Sequence, residues 1–280
     1  MTTAPAADAK ATLLFIGGGN MGRSLIGGLI ARGTPPARIV AVDPSPTARD
    51  GLAAEFGIRT AQDAADALPE AALVMLAVKP QVMKPVCESL AGKFPSAAVA
   101  VSIAAGIRTE QLDAWLGGTR AVVRAMPNTP ALLGAGATGL FANARVSAPQ
   151  RALAERVLGA VGACVWIGQE AHMDLVTALS GSGPAYFFLL TEAMQAAAQR
   201  LGLPPDAARL LAAQTCLGAG RMLSESGEDA ATLRQRVTSP GGTTQAALES
   251  FARDGFADLV ARAIEAAALR GTELSAQAGS

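Results

Sequence analysis

Two stretches of this chain combine residue types and spacing that can do chemistry. The first is Val237-Thr238-Ser239-Pro240-Gly241-Gly242-Thr243-Thr244-Gln245, a turn of hydroxyls and glycines running into the apolar, helix-prone segment Ala246 to Phe251. Pro240 and the two glycines end any preceding helix and let the backbone come close to a ligand. Thr243 or Thr244 is placed to cap the helix that follows, so that its first free N–H groups point at the turn. Such a helix start attracts an anion. Hydroxyls beside it can hold a carboxylate or reach a polar atom next to it. A plain helix cap needs only one Ser or Thr and would leave much the same trace.

The second stretch is Leu13-Leu14-Phe15-Ile16-Gly17-Gly18-Gly19-Asn20-Met21-Gly22. A short apolar run, read as a buried strand, meets glycines at Gly17, Gly19 and Gly22, and a helical pattern follows through Leu25, Ile26, Leu29 and Ile30. Gly17 serves the tight turn, Gly19 the approach of a pyrophosphate, and Gly22 the close packing of helix on strand. A second strand, Ile39 to Val42, ends in Asp43, about 20 residues past Gly22, where an acid binds a ribose hydroxyl. Three glycines alone are weak, but strand, helix and acid together read as a dinucleotide site.

The remaining chemical equipment is sparse. His172 is the single histidine, with no Asp or Cys partner in view, and is expected to be structural or exposed. No metal-ligand cluster, nucleophile elbow or phosphate-binding P-loop motif is present in the sequence, so no metal is expected. Delivering hydride to a ketone usually needs a strong general acid at the oxygen. A cyclic imine is easier, because its nitrogen is basic enough to be protonated before or during attack. An enzyme acting on it needs position, an anchor for any carboxylate and a hydroxyl near the nitrogen, which is what Ser239 to Thr244 supply. Lys79, followed by Pro80 at a strand end, is either a solvated lysine that begins a helix or a cofactor or substrate contact.

The elements that must position these residues are legible in outline. Strands are expected at 12–16, 38–42, 73–78, 98–103, 121–125, 138–142 and 164–168, most of them separated by helices. The early strands are apolar throughout, as in a parallel sheet covered on both faces. From 170 onward no strand is evident, and helices are expected at about 171–179, 184–201, 205–225, 229–236, 243–253 and 255–275. This gives a loose tail over 1–10, a dinucleotide-binding domain over 11–168 and a helical domain over 169–280. Leu189, Leu190, Ala193, Met194, Ala197 and Ala198 form a broad apolar helix face that suits a helix-exchanging homodimer.

Bulk properties agree. Half of the 280 residues are hydrophobic and only 16% are charged, so a large buried interior is expected. The 23 basic and 23 acidic residues cancel, leaving no electrostatic footprint for nucleic acid. No apolar run reaches the ~18 residues of a membrane span, and no membrane partner is expected. Cys87, Cys164 and Cys216 are widely spaced in apolar or helical company and read as buried free thiols of a reducing cytoplasm.

Gly17–Gly22 as GGGNMG, Ala77–Pro80 as AVKP, Met126–Pro130 as MPNTP, Leu179–Tyr186 as LSGSGPAY and Val237–Thr244 as VTSPGGTT, in this order, resemble pyrroline-5-carboxylate reductases over about 11–275. The resemblance implies reduction of L-1-pyrroline-5-carboxylate to L-proline, the last step of proline synthesis. It also implies a Rossmann-type α/β domain followed by an all-α, dimerising domain of the 6-phosphogluconate-dehydrogenase C-terminal type, interlaced with a second subunit, and sometimes a higher oligomer. Carried over, Thr244 is the hydroxyl at the imine nitrogen. Ser239 and the amides of Gly242, Thr243 and Thr244 hold the substrate carboxylate. Gly17, Gly18, Gly19, Asn20, Met21 and Gly22, with Ala77, Val78, Lys79 and Pro80 and with Ile103, Ala104 and Ala105, line the cofactor site. Asn128 sits beside the nicotinamide. Gln235, and Asp229-Ala230, depart from the residues many relatives carry there. On cofactor choice, resemblance favours NADPH. Asp43 favours NADH, and Ser45 with Arg49 would take a 2′-phosphate only if Asp43 turned away.

Other readings are a reductase of another cyclic imine acid, an enzyme like the β-hydroxyacid dehydrogenases, or a non-catalytic dinucleotide sensor. The β-hydroxyacid enzymes use a lysine in the helical domain, and this chain has none from 170 to 280. A sensor would have no reason to keep the hydroxyl turn.

Overall fold

The structure, a computed structural model, describes residues 12–65 and 67–277. The tail expected over 1–10 lies outside the described residues. The described chain up to Gly181, with the residues from Ala267 onward, forms one compact unit, and Ser182–Ala266 forms a second.

The first unit is a Rossmann-type α/β sheet. Its strands are β1 (Thr12–Ile16), β2 (Ile39–Val42), β3 (Arg59–Ala61), β4 (Ala71–Leu76), β5 (Val99–Ser102), β6 (Ala121–Met126), β7 (Gly136–Ala142) and β8 (Gly162–Trp166), in the order β3-β2-β1-β4-β5-β6-β7-β8. The order reverses between β1 and β4, which opens a crevice at the carboxyl ends of those strands. Alternate residues of each inner strand enter opposite cores. Leu13, Phe15, Leu73, Met75 and Val101 pack on one face, with Leu25 and Ile26 of α1 (Asn20–Ala31). Leu14, Ile16, Val74, Leu76 and Ala100 pack on the other, with Met83 and Cys87 of α3 (Pro80–Leu90), which follows α2 (Pro46–Phe56) in the chain. Each such large side chain contributes roughly 1.5–3 kcal/mol on burial, and together they fix the strand ends rigidly.

Three sequence expectations need correction. The sheet is not all parallel, because β7 runs antiparallel to β6. Only the loop from Pro127 to Ala135, with a short 3-10 turn, joins them, and a parallel return would need a longer crossover. β3 went unforeseen: it is three residues long, lies at the sheet edge and is only partly buried, so it has no apolar run to betray it. The third concerns strand ends. β4 spans Ala71–Leu76 rather than 73–78, so Ala77 and Val78 are loop residues free to meet a ligand.

The helix expected at 171–179 is broken into a 3-10 turn (Glu170–His172), α6 (Met173–Val176) and a π turn (Thr177–Gly181). Between α3 and α6 lie α4 (Thr109–Trp115) and α5 (Ala148–Leu158). Thr177 and Ser180 donate their hydroxyls back to Met173 O and Val176 O, at 2.9 and 3.0 Å. Such bonds compete with regular helix geometry.

The second unit is all helical: α7 (Gly183–Arg200), α8 (Pro205–Glu225), α9 (Ala230–Arg236), α10 (Thr243–Arg253) and the start of α11 (Phe256–Gln277). Large apolar side chains of α7 and α8 stand exposed on the single chain, among them Phe188 and Leu210, both 68% accessible. Apolar area of this kind marks an interaction surface.

Candidate functional site

The glycine turn after β1 takes the form its spacing demands. Gly17 has φ +106°, and a Cβ there would lie 2.6 Å from Ala77 O. A Cβ on Gly22 would lie 2.7 Å from Gly17 O, which is why helix α1 can sit so close to the strand. At Gly19 the opposite holds: nothing lies within 4 Å of such a Cβ. Two of these glycines serve the fold, and Gly19 leaves open space. Gly19 is also the N-cap of α1, with no side-chain cap and no acid in the first turn. The first amides of α1 are therefore available to an anion. By contrast α2 and α5 are capped by Ser45 and Ser147.

A cleft of about 680 Å³ opens at this turn. It brings together Gly17, Gly19, Asp43, Ala77, Val78 and Lys79 from three different strand ends. It is also lined by Gln62, Asp63, Ala64, Ala65 and Leu68, which follow β3 and which the sequence reading missed because it missed that strand. The polar pair Gln62-Asp63, breaking an apolar neighbourhood, was the available signal. Lys79 begins α3 and faces the cleft. Asn20, Met21 and Gly22 form the first turn of α1, and Pro80 the first position of α3. Ile103 extends the ladder with its N–H on Leu76 O at 3.3 Å, and Ala104 is buried, its N–H on Ser102 Oγ at 3.3 Å. Gly18, Asn20, Met21, Gly22, Pro80, Ile103 to Ala105 and Asn128 are not among the residues lining this cleft.

Asp43 is firmly held. Its Oδ2 accepts the Gly18 N–H at 2.8 Å and its Oδ1 the Ser45 N–H at 2.9 Å. Asn128, 9% accessible, is engaged at both ends of its amide. It donates to Ser180 O at 3.0 Å and accepts from Ala137 N–H at 2.9 Å, tying the loop after β6 to the π turn.

Beneath that loop lies a charged cluster that the sequence reading did not foresee. Arg124 of β6, only 3% accessible, donates to Asp174 Oδ1 at 2.9 Å and lies 3.8 Å from Glu170 Oε1. Glu170 also accepts the Thr109 N–H and hydroxyl, both at 2.7 Å, and Asp174 accepts from Ser275 Oγ at 3.3 Å. These partners are widely separated in the chain, so no local pattern announces them. His172 stands exposed on the short turn between Glu170 and Asp174.

In the second unit, the turn before α10 is wound on itself. Gly241 has φ +70°, and the Gly242 N–H donates to Ser239 O at 3.0 Å. Neither Thr243 nor Thr244 caps the helix, contrary to the expectation from sequence; Gly242 is the N-cap and lacks a side chain to do it. Gln245 reaches back to accept the Gly241 N–H at 2.7 Å. The first regular helical bond is Ala246 N–H to Gly242 O, 3.2 Å, so the amides of Thr243, Thr244 and Gln245 precede the ladder. Of the three amides expected on a carboxylate, that of Gly242 is thus taken up inside the turn. Among the described residues, the hydroxyls of Ser239, Thr243 and Thr244 have no hydrogen-bond partner, whereas Thr238 Oγ1 donates to Arg234 O at 2.6 Å. Upstream, Asp229 caps α9 by accepting from the Ala231 and Thr232 amides, both at 3.0 Å. The Thr232 amide, then its hydroxyl, holds the Asp229 carboxyl below its ordinary range.

A doubly wound sheet with an uncapped glycine turn at its switch point, joined in sequence to a helical unit, defines an NAD(P)-dependent oxidoreductase. Residues 12–106 match the family described as NADP oxidoreductase coenzyme F420-dependent, and residues 170–274 match pyrroline-5-carboxylate reductase dimerisation. The chain is 52% identical to pyrroline-5-carboxylate reductase of Pseudomonas aeruginosa, over 95% of this chain and 98% of that one. A solved pyrroline-5-carboxylate reductase from Coxiella burnetii superposes with TM-score 0.92 at 44% identity, covering 95% and 99% of the two chains. Another, from Plasmodium falciparum with NADP bound, gives TM-score 0.81 at 26% identity over 95% and 99%. The chain belongs to the pyrroline-5-carboxylate reductase family.

Proposed function

We propose that this chain reduces L-1-pyrroline-5-carboxylate to L-proline, the final step of proline biosynthesis, with a reduced nicotinamide dinucleotide as hydride donor. Family membership over nearly the whole length supports the reaction. The observation that carries the site is the turn before α10, with three hydroxyls free of partners beside amides that precede the helical ladder.

The cleft at the glycine turn fits the dinucleotide. Its open space lies at Gly19, where a side chain would intrude, and the amides that open α1 have no cap to displace. By resemblance, Gly17, Gly18, Gly19, Asn20, Met21 and Gly22 would hold the pyrophosphate and Ala77 to Pro80 with Ile103 to Ala105 would complete the cofactor site; of these, Gly17, Gly19, Ala77, Val78 and Lys79 line the cleft itself. The dinucleotide, when bound, supplies the hydride. Everything else falls to the chain. The hydroxyl of Ser239 and the amides of Thr243 and Thr244 moor the substrate carboxylate, and the Thr244 hydroxyl holds a proton at the imine nitrogen. Asn128, bonded to Ser180 O and Ala137 N–H, would hold in place the Met126–Pro130 loop that the resemblance puts beside the nicotinamide. Family resemblance favours NADPH as donor; Asp43 stands for NADH.

The division into a dinucleotide-binding part over 11–168 and a substrate and dimerisation part over 169–280 belongs to this reading. So does a homodimer interlaced through its C-terminal helices, for which the exposed faces of α7 and α8 speak. So too does a cytoplasmic location, in keeping with three cysteines that are all free thiols. Among the described residues, no helix is long and apolar enough to cross a membrane.

The test is direct. The protein is mixed with the cyclic imine acid and each reduced dinucleotide, and nicotinamide absorbance is followed. Consumption that requires both components is the expected result. No consumption with either dinucleotide would leave a non-catalytic sensor as the better account.

A further inference from the structure

We propose that Asp43 makes this chain select NADH, with its free ribose 2′-hydroxyl, over the 2′-phosphorylated NADPH. The inference rests on the cleft at the glycine turn being the dinucleotide site, and it names which dinucleotide that cleft takes.

A 2′-phosphate could be received at the end of β2 only if the Asp43 carboxylate swung aside and a cation took its place. Three sets of bonds oppose that rearrangement. The carboxylate is tied through Oδ2 to the Gly18 amide, 2.8 Å, and through Oδ1 to the Ser45 amide, 2.9 Å. Turning it away would therefore open both the glycine turn and the entry to α2. The Ser45 hydroxyl is occupied at 3.4 Å as the cap of α2, accepting from Ala48 N–H. Arg49, the cation nearest in sequence, points its Nη1 at the carbonyls of Asp43 and Pro44, at 2.7 and 3.0 Å. It braces the backbone that presents Asp43 and does not replace it.

Crowding adds to this. A Cβ on Gly18 would come within 3.3 Å of Asp43 Oδ2 and 2.8 Å of Leu52 Cδ1, so the carboxylate lies against the turn itself. Asp43 and Asp63 both line the cleft. A phosphate monoester carries about −1.5 to −2 charges at neutral pH, and placing it beside fixed carboxylates is repulsive. The lysines that line the same cleft, Lys79 and Lys93, flank α3. Lys79 follows β4, which is separated from β2 by β1, roughly 10 Å across the sheet. A vicinal diol, by contrast, donates to a carboxylate that is already aimed and needs no reorganisation.

The experiment measures binding without turnover. Dissociation constants for NADH and NADPH are taken by calorimetric titration of the full-length protein, for the parent and for Asp43→Ser, Asp43→Asn and Arg49→Ala, with thermal melting to confirm folding. The parent should bind NADH at least about tenfold more tightly. Asp43→Ser should bring the two within about threefold, and Asp43→Asn should narrow the gap while preserving the shape of the turn. Arg49→Ala should weaken both ligands alike. Equal or tighter binding of NADPH by the parent, an unmoved ratio in both Asp43 variants, or a selective loss of NADPH in Arg49→Ala would each overturn the selectivity and leave the dinucleotide site standing. Failure of the parent to bind either would sink the site as well.

Discussion

The three glycines of the turn after β1 can be separated by experiment, because the structure gives them different work. Alanine at Gly17 meets two penalties. Its φ of +106° is strained for any L side chain, costing about 1–3 kcal/mol. Its Cβ would also sit 2.6 Å from the backbone oxygen of Ala77, which cannot step aside without moving the end of β4. Overpacking of that kind costs about 1–3 kcal/mol, so Gly17→Ala should lose roughly 2–6 kcal/mol of stability. Gly22→Ala meets Gly17 O at 2.7 Å but gains helix propensity, about 1 kcal/mol over glycine, for a net loss of about 0–2 kcal/mol. Gly19→Ala is different in kind. Its φ of −70° suits any residue, and its Cβ would touch nothing within 4 Å. Alanine is a poorer N-cap than glycine, but it narrows the unfolded ensemble by about 0.4–1 kcal/mol, and the two effects nearly cancel.

Denaturant midpoints and dinucleotide titrations on the same three proteins read the difference. Gly17→Ala should unfold much earlier than the parent. Gly19→Ala should unfold with the parent yet bind either dinucleotide about 5- to 150-fold more weakly, the equivalent of about 1–3 kcal/mol of overlap. Normal binding by Gly19→Ala would show that the open space at Gly19 is not where the dinucleotide lies. A fully stable Gly17→Ala would refute the close-approach argument for the turn.

Thr244→Ala should cut turnover about 100-fold or more while leaving dinucleotide affinity within about twofold, since its hydroxyl serves the substrate; an unchanged rate removes it from the mechanism. Arg124→Met should cost about 3–5 kcal/mol in urea unfolding, because Asp174 and Glu170 lose the buried cation between them; a variant as stable as the parent would show the cluster to be ornamental. Burial, then the neighbouring Glu88, pushes the Cys87 thiol up to about 12, and burial, then Glu155, pushes Cys164 up to about 11. Both therefore stay protonated in the folded state well above the pH at which an unfolded thiol ionises. Iodoacetamide at mildly alkaline pH should spare the buried Cys87 until urea is added and react only slowly with the half-buried Cys164, as peptide mass spectrometry would show; rapid labelling of Cys87 in the native protein contradicts its burial. For the same reason these thiols favour the native state below about pH 9. That contribution fades as pH rises toward the folded values, which a pH series of unfolding midpoints in the parent and Cys87→Ala can follow.

What could be read from the chain was whatever is dictated over a few residues. Gly17, Gly19 and Gly22 were assignable because a tight turn, a phosphate and a close helix each demand the absence of a side chain at one known spacing. The inner strands were legible because Leu13 to Ile16 and Leu73 to Leu76 are apolar on both faces. The long helices from α7 onward were legible because proline and glycine punctuate them. β3 was not, since three half-exposed residues acquire strand geometry only by pairing with β2. The break within 171–179 was equally hidden, because it depends on hydroxyls folding back and on Asn128 arriving from the loop after β6.

The misplaced cap at α10 carries the more useful lesson. A threonine at the start of a helix invites the inference that it serves the helix, and here the glycine before it takes that position, leaving Thr243 and Thr244 inside the first turn with nothing to bond. Had either hydroxyl been spent on the backbone, the turn would be self-sufficient and an unremarkable helix start. Gln245 instead satisfies the amide of Gly241 from within the helix, and Thr238 is satisfied by Arg234, so the polar groups flanking the turn are settled while those at its mouth are not. Ser239 and Thr243 are exposed and Thr244 half-buried, so these groups face solvent with no protein partner and can exchange water for a ligand without breaking an internal bond. An imine acid, with a carboxylate beside a basic nitrogen, offers a complementary set to hydroxyls and amides spaced this closely.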